Sequence, residues 1–249
     1  MAATVILAVA ACLAPRLDLP PSYHDFADRW TCLGIANFGN VTSNFAIGVA
    51  GICGLLVLLG WPRRVNFLES RERWPYLVFF AGLILTAWGS AYYHLAPDDA
   101  RLVWDRLPMT IVFMSLVAAI IMERIDVKSG LILLPALPAV GIASVIHWQN
   151  TVTRGAGDLR FYGAVQIYGV LAVLLALVME PRYTRTYDLA VVSAFYVAAK
   201  IFESADREIF TFGQIVSGHT LKHLAAAVAG IWVLRMLVKR KALNQPAGS

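Results

Sequence analysis

Seven apolar runs, each near the roughly 20 residues that a helix needs to cross a hydrocarbon core, constrain this chain more than any other feature. They cover about 40–60, 74–96, 105–124, 130–149, 160–179, 188–206 and 219–238. At bilayer depth an open strand leaves backbone groups unpaired, so the runs read as helices. Their connections are short, which sets neighbours antiparallel. The sequence therefore predicts an all-α membrane protein, a seven-transmembrane helix bundle. Charged residues make up 15% of the chain, against about 25% in a typical soluble domain, so the chain is built for lipid.

The formal charge of +5 would invite a nucleic-acid partner in a soluble protein. Here the cations fall between the apolar runs and at the C-terminus, and no nucleic acid is expected. Arg63, Arg64, Arg71 and Arg73 follow the first run, Arg182 and Arg185 follow the fifth, and Arg235, Lys239, Arg240 and Lys241 close the last. The alternate connections are acidic or mixed: Asp98, Asp99 and Arg101; Arg154 and Asp158; Asp206, Arg207 and Glu208. The positive-inside rule then puts the N-terminus outside and the C-terminus in the cytoplasm. Residues 1–22 form an apolar segment and linker, 23–240 one membrane domain, and 241–249 a polar tail. The opening stretch is too short to span comfortably and lacks the basic residues of a leader. Its "VAAC" resembles a lipoprotein box only faintly, so an interfacial or packed segment is expected. Cys12, Cys32 and Cys53 have no metal spacing and imply no disulfide framework.

Five polar residues stand out at the ends of apolar helices. His219 and His223 in "HTLKH" are four apart and share one helix face, the spacing that helical zinc sites use. Solvated interfacial histidines are the plain alternative. Ser217 and Gly218 ahead of them suit a helix start. Ser90 and His94 in "GSAYYH" are also four apart; each alone reads as a packing histidine and a serine bonded to its own helix. Asp105 in "WDRLPM" is placed at the opening of span three, favourable to the helix dipole or paired with Arg106, with Pro108 in the first turn. The deduced orientation brings all five to one membrane face. Liganding side chains are expensive at that depth and mark a functional site. Three histidines with a carboxylate suit hydrolytic zinc.

Other polar residues are less specific. Lys200 and Glu203 read as a pair, or Glu203 as an acceptor behind a histidine; with Glu203 beside it in span six, Lys200 is a poor retinal Schiff base. His147 reads as part of an interfacial belt. Tyr162, Gln166 and Tyr168 are candidates to line a polar cavity. His24 falls in a loop with no partner legible.

At these residues the chain resembles the alkaline ceramidases, most closely their bacterial branch, within a larger group of seven-helix membrane hydrolases that includes adiponectin-receptor-like proteins. The shared pattern is Ser-x3-His (Ser90, His94), an Asp early in the third helix (Asp105) and His-x3-His in the seventh (His219, His223). "IANFGNVTSNFAIGVAG", with Asn40 and Asn44, resembles the family's entry to the first helix, and "GDLRFYGAVQIY" and "SGHTLKHLAAA" look like the bacterial branch. The resemblance covers about 23–240. It implies a zinc-dependent hydrolase of linear amide bonds. Zn²⁺ sits on His94, His219 and His223, Asp105 is the proton carrier, and Ser90 supports the oxyanion or the attacking water. The substrate is a ceramide-like lipid cleaved to a fatty acid and a sphingoid base, in the inner membrane of a bacterium with the site toward the periplasm. Animal members carry a calcium site with a Glu shortly before the Asn pair; Asn37 stands there, with only Asp25 and Asp28 upstream, so calcium is not expected. A sister lipid esterase or acyl hydrolase is the nearest rival. A zinc-stabilised receptor or transporter is another, against which stands the lack of an inverted repeat. Oligomeric state is left open.

Overall fold

The computed structural model describes residues 2–243, so part of the expected polar tail, 244–249, lies outside the described residues. Among the described residues the chain is helical, with two isolated bridges and no strand. The helices are α1 (Ala2–Leu13), α2 (Phe38–Thr42), α3 (Asn44–Gly60), α4 (Trp74–Leu95), α5 (Asp99–Arg124), α6 (Val127–Val152), α7 (Arg160–Val178), α8 (Asp188–Ser204), α9 (Asp206–Thr211) and α10 (Gly218–Lys239). Six stretches are long and apolar enough to cross a membrane: Phe38–Gly60, Ser70–Leu95, Asp99–Arg124, Val127–Val152, Arg160–Val178 and Gly218–Lys239. The stretch expected at 188–206 forms α8, whose 17 residues reach about 26 Å at 1.5 Å per residue, short of a hydrocarbon core of about 30 Å.

Packing closes a ring. α3 lies against α4, α4 against α5, α5 against α7, α7 against α8, α8 against α10, and α10 against α3. α6 packs outside this ring on α5 and α7. The expectation of a packed N-terminal segment matches α1, which lies along α7. Arg160 holds it there by donating from Nη1 to the carbonyls of Ala14 (2.6 Å) and Cys12 (3.3 Å), acceptors that a helix end leaves unpaired.

Span three corrects the sequence reading. The helix starts at Asp99, with Asp98 as its cap accepting from the Arg101 N–H at 2.7 Å. Asp105 therefore sits in the second turn, not at the opening, and Pro108 lies inside the helix. Proline has no N–H, so the Trp104 carbonyl loses its usual donor. Gly89 of α4 faces that carbonyl so closely that a Cβ there would stand 1.9 Å from the oxygen. The missing side chain lets α4 and α5 meet at the level of Ser90 and Asp105, the small-residue contact that membrane helices use.

The far end of the bundle is tied by a buried polar network. Arg240, 1% exposed, pairs with Glu123 and lies 4.0 Å from the Tyr183 ring. Tyr76 donates to Glu123 at 2.6 Å, and Tyr183 donates to Glu72. Arg182 pairs with Glu72 at 3.4 Å, while Arg185 and Arg235 share Asp188. Four of the cations that the orientation argument counted as loop charges are thus engaged in structural pairs.

Candidate metal centre

His94 occupies the last turn of α4, and His219 and His223 the first two turns of α10. Local chemistry sets that helix start. Ser217 caps α10 by accepting from the Thr220 N–H at 3.1 Å, as its sequence position implied. Gly218 passes so close to α8 that a Cβ would stand 2.2 Å from the Phe202 carbonyl oxygen. Asp206 accepts from the His219 N–H at 2.7 Å through one oxygen and from the Ala27 N–H at 2.8 Å through the other.

The three imidazoles are buried (1%, 4% and 3% exposed) and converge. One nitrogen from each lies within 4.8 Å of the others, and Nε2 of His94 is 3.1 Å from Nε2 of His219. Two nitrogens bound tetrahedrally to one zinc at 2.0–2.1 Å would lie roughly 3.3 Å apart, so this spacing fits a shared ion. His223 Nδ1 meets Ser43 Oγ at 2.8 Å, leaving its other nitrogen for the cluster. Such a hydrogen bond fixes ring orientation and tautomer behind a metal ligand. The interruption between α2 and α3 at Ser43 places that hydroxyl. Among the described residues Nδ1 of His94 has no hydrogen-bond partner. Phe26, from the loop before α2, covers His94 and His219 edge-on at 4.7 and 4.5 Å between ring centres.

Asp105 and Ser90 are buried, Ser90 stands one turn before His94 on α4, and the Ser90 hydroxyl hydrogen-bonds the Asp105 carboxylate. Arg106 is not the ion-pair partner that the sequence offered for Asp105. Its guanidinium turns among Tyr23, Trp148 and Tyr162. Glu203 binds Lys200, as one reading of the sequence had it, and also Lys222 at 2.5 Å. It reaches a histidine only through Lys222, whose Nζ lies 3.4 Å from His219 Nε2. An ammonium so close opposes a metal's charge, and Glu203 offsets part of that opposition.

A cavity of about 200 Å³ opens from Asp105 and Lys222 into the ring, its walls mainly apolar. Tyr162 and Gln166 line it as expected, whereas Tyr168 packs with Met114 and Val117 instead. His147 stands apart from the cluster, against Phe161 and 3.5 Å from Asp158. His24, for which no partner was legible, bonds Tyr93 Oη at 2.9 Å and Asp99 at 3.0 Å. Asp28, upstream of the Asn pair, is buried and accepts from the Asn40 N–H at 2.8 Å and the Trp30 N–H at 3.2 Å.

The sequence reading missed Ser43, Lys222, Asp206 and Phe26. Lys222 carried a usable signal, a lysine between two histidines on an apolar helix; Ser43 and Phe26 meet the site across long stretches of chain, and Asp206 meets it across the loop before α10. No family model matches this sequence, and no curated protein matches it either.

Proposed function

We infer that this chain is a zinc-dependent amide hydrolase of membrane lipids, acting on ceramide-like substrates and akin to the bacterial alkaline ceramidases. The observation that carries the reading is the convergence of three buried histidines, with Ser90 one turn before His94 and bonded to Asp105, which lines an apolar cavity. His94, His219 and His223 would hold the ion, which when bound supplies Lewis-acid activation of water and of a carbonyl. Asp105 takes the proton of the attacking water and returns it to the departing amine, the work of a general base and acid. Ser90 donates to the Asp105 carboxylate; once Asp105 carries the proton it can donate to Ser90 in turn, which frees the serine's one hydrogen for the oxygen on which negative charge develops. The apolar cavity admits the acyl chain and keeps bulk water from the reacting carbonyl, so the products are a fatty acid and a sphingoid base. In this reading α8 is the sixth of seven spans and α10 the seventh, the N-terminus is outside, and the site faces the periplasm of a bacterial inner membrane.

The test is His219→Ala in the full chain, with zinc measured by mass spectrometry and hydrolysis followed on ceramide and a glycerolipid ester side by side. We expect zinc and amide cleavage to be lost together. Undiminished ceramide turnover by a metal-free variant refutes the proposal. Ester cleavage alone by the parent protein assigns the site to a lipid esterase.

A further inference from the structure

Arg106 follows Asp105 on α5 and is 4% exposed. Its guanidinium carbon lies 4.3 Å from the Trp148 ring centre, 4.9 Å from Tyr162 and 5.3 Å from Tyr23. Ring faces attract the cation, and Tyr23 also takes a side-chain hydrogen bond from it, which leaves part of the guanidinium fork unserved. Among the described residues Nη1 has no hydrogen-bond partner, and neither does Nε1 of the buried Trp148. Arginine cannot escape burial by losing its proton, and leaving a charged donor unpaired inside a protein is costly. Asp105 acts on it only at longer range.

Arg106 lines the cavity together with Asp105 and Lys222. Arg106, Lys200 and Lys222 face that space against only Asp105 and Glu203, so cations are in excess. From there the walls turn apolar, through Leu83, Val173 and Leu116. Asp105 and Leu116 are separated along α5 by roughly 16 Å of helix. The cavity thus has one cationic end and one long apolar bore.

We propose that Arg106 anchors the head of a long-chain amphiphile bearing an oxyanion, a carboxylate or a phosphate monoester, whose tail lies in the bore. An oxyanion matches the guanidinium fork and supplies the missing acceptor. The site requires neither a bound metal nor hydrolysis, so it stands or falls separately from the proposed activity.

The experiment is equilibrium binding of oleate, oleyl phosphate and oleyl alcohol to the full chain in non-ionic detergent at about pH 8.5, where the acids are ionised, with and without EDTA. We expect at least one acid to bind about tenfold or more tighter than the alcohol, with the preference surviving EDTA; which acid prevails identifies the head. Arg106→Met should shrink the preference to less than about twofold while alcohol binding persists. Arg106→Lys keeps the charge without the fork, should give an intermediate ratio, and serves as the reporter if the Met variant fails to fold. Equal binding of acid and alcohol overturns the proposal. So does a preference abolished by EDTA, which would put the head on the metal, or one undiminished in the Arg106 variants.

Discussion

Replacing Gly89 with alanine drives a methyl group into the Trp104 carbonyl, where α4 and α5 cross. The new Cβ would stand 1.9 Å from the oxygen and 2.7 Å from the carbonyl carbon, while real Cβ atoms keep at least 3.0 Å. The obstacle is helical backbone and cannot rotate away, so the helices must part by about 1.1 Å, the difference between those distances. Overpacking of this kind costs about 1–3 kcal/mol, and the better helix propensity of alanine offsets roughly 0.5–1 kcal/mol. The net loss of stability is therefore modest. The site is less forgiving. Ser90 is the next residue on one side and Asp105 the next on the other, and His94 lies little more than a turn beyond, so the displacement enters the constellation directly. A 1 Å misplacement costs on the order of 100-fold in rate. Thermal unfolding, metal content and lipid-amide hydrolysis should be measured on the same preparation. Gly163→Ala on α7, where a Cβ meets nothing within 4 Å, is the control and should leave all three unchanged or slightly raise stability. Wild-type metal content and turnover in Gly89→Ala would refute the claim that this contact sets the spacing of Ser90, His94 and Asp105.

Two further outcomes test the surroundings. Ser43→Ala removes the 2.8 Å contact to His223 Nδ1 and should weaken metal binding about 10–100-fold, read by competition with a chromophoric chelator; unaltered affinity would show that the hydroxyl does not orient the ring. Asp158 lies between α6 and α7, with its side chain 3% exposed. The Arg160 guanidinium and backbone N–H hold its carboxyl well below the usual range, against the opposing effect of burial. A depressed folded value stabilises the protein above the unfolded value of about 3.9 and loses that contribution as pH falls toward the folded one. Asp158→Asn should therefore cost about 1–3 kcal/mol near neutrality, with a gap from wild type that is level above about pH 5 and narrows below about pH 4. Thermal unfolding across that range checks it, and a gap still constant at about pH 2 would refute the assignment.

What could be read from the sequence follows from the reach of helical periodicity. The i, i+4 pairs Ser90/His94 and His219/His223 each define a face without any tertiary knowledge, and the structure brings those faces together. The start of α5 escaped because hydropathy sees only the lipid-soluble part of a helix; Asp99 and Arg101 belong to it but are polar. The capping Asp98 three residues before Arg101 was the signal that could have placed the boundary. Asp206 and Ser43 were invisible for another reason. Ser43 touches His223 across 180 residues of chain, and Asp206 reaches back 179 residues to Ala27 as well as forward 13 to His219, and nothing in their neighbours along the sequence announces a partner. Arg106 misled in the opposite direction: beside Asp105 it suggested an ion pair, but aromatic rings from three other parts of the chain claim it.

Asp206 grips both the amide that opens α10 and the amide of Ala27, next to the phenyl ring that roofs the histidines. A single carboxylate thus ties the stretch before α2 to the start of α10. Both donors are backbone amides, which any residue but proline supplies, so a chimaera can change the side chains at 27 and 219 without undoing this tie but has to keep the carboxylate at 206.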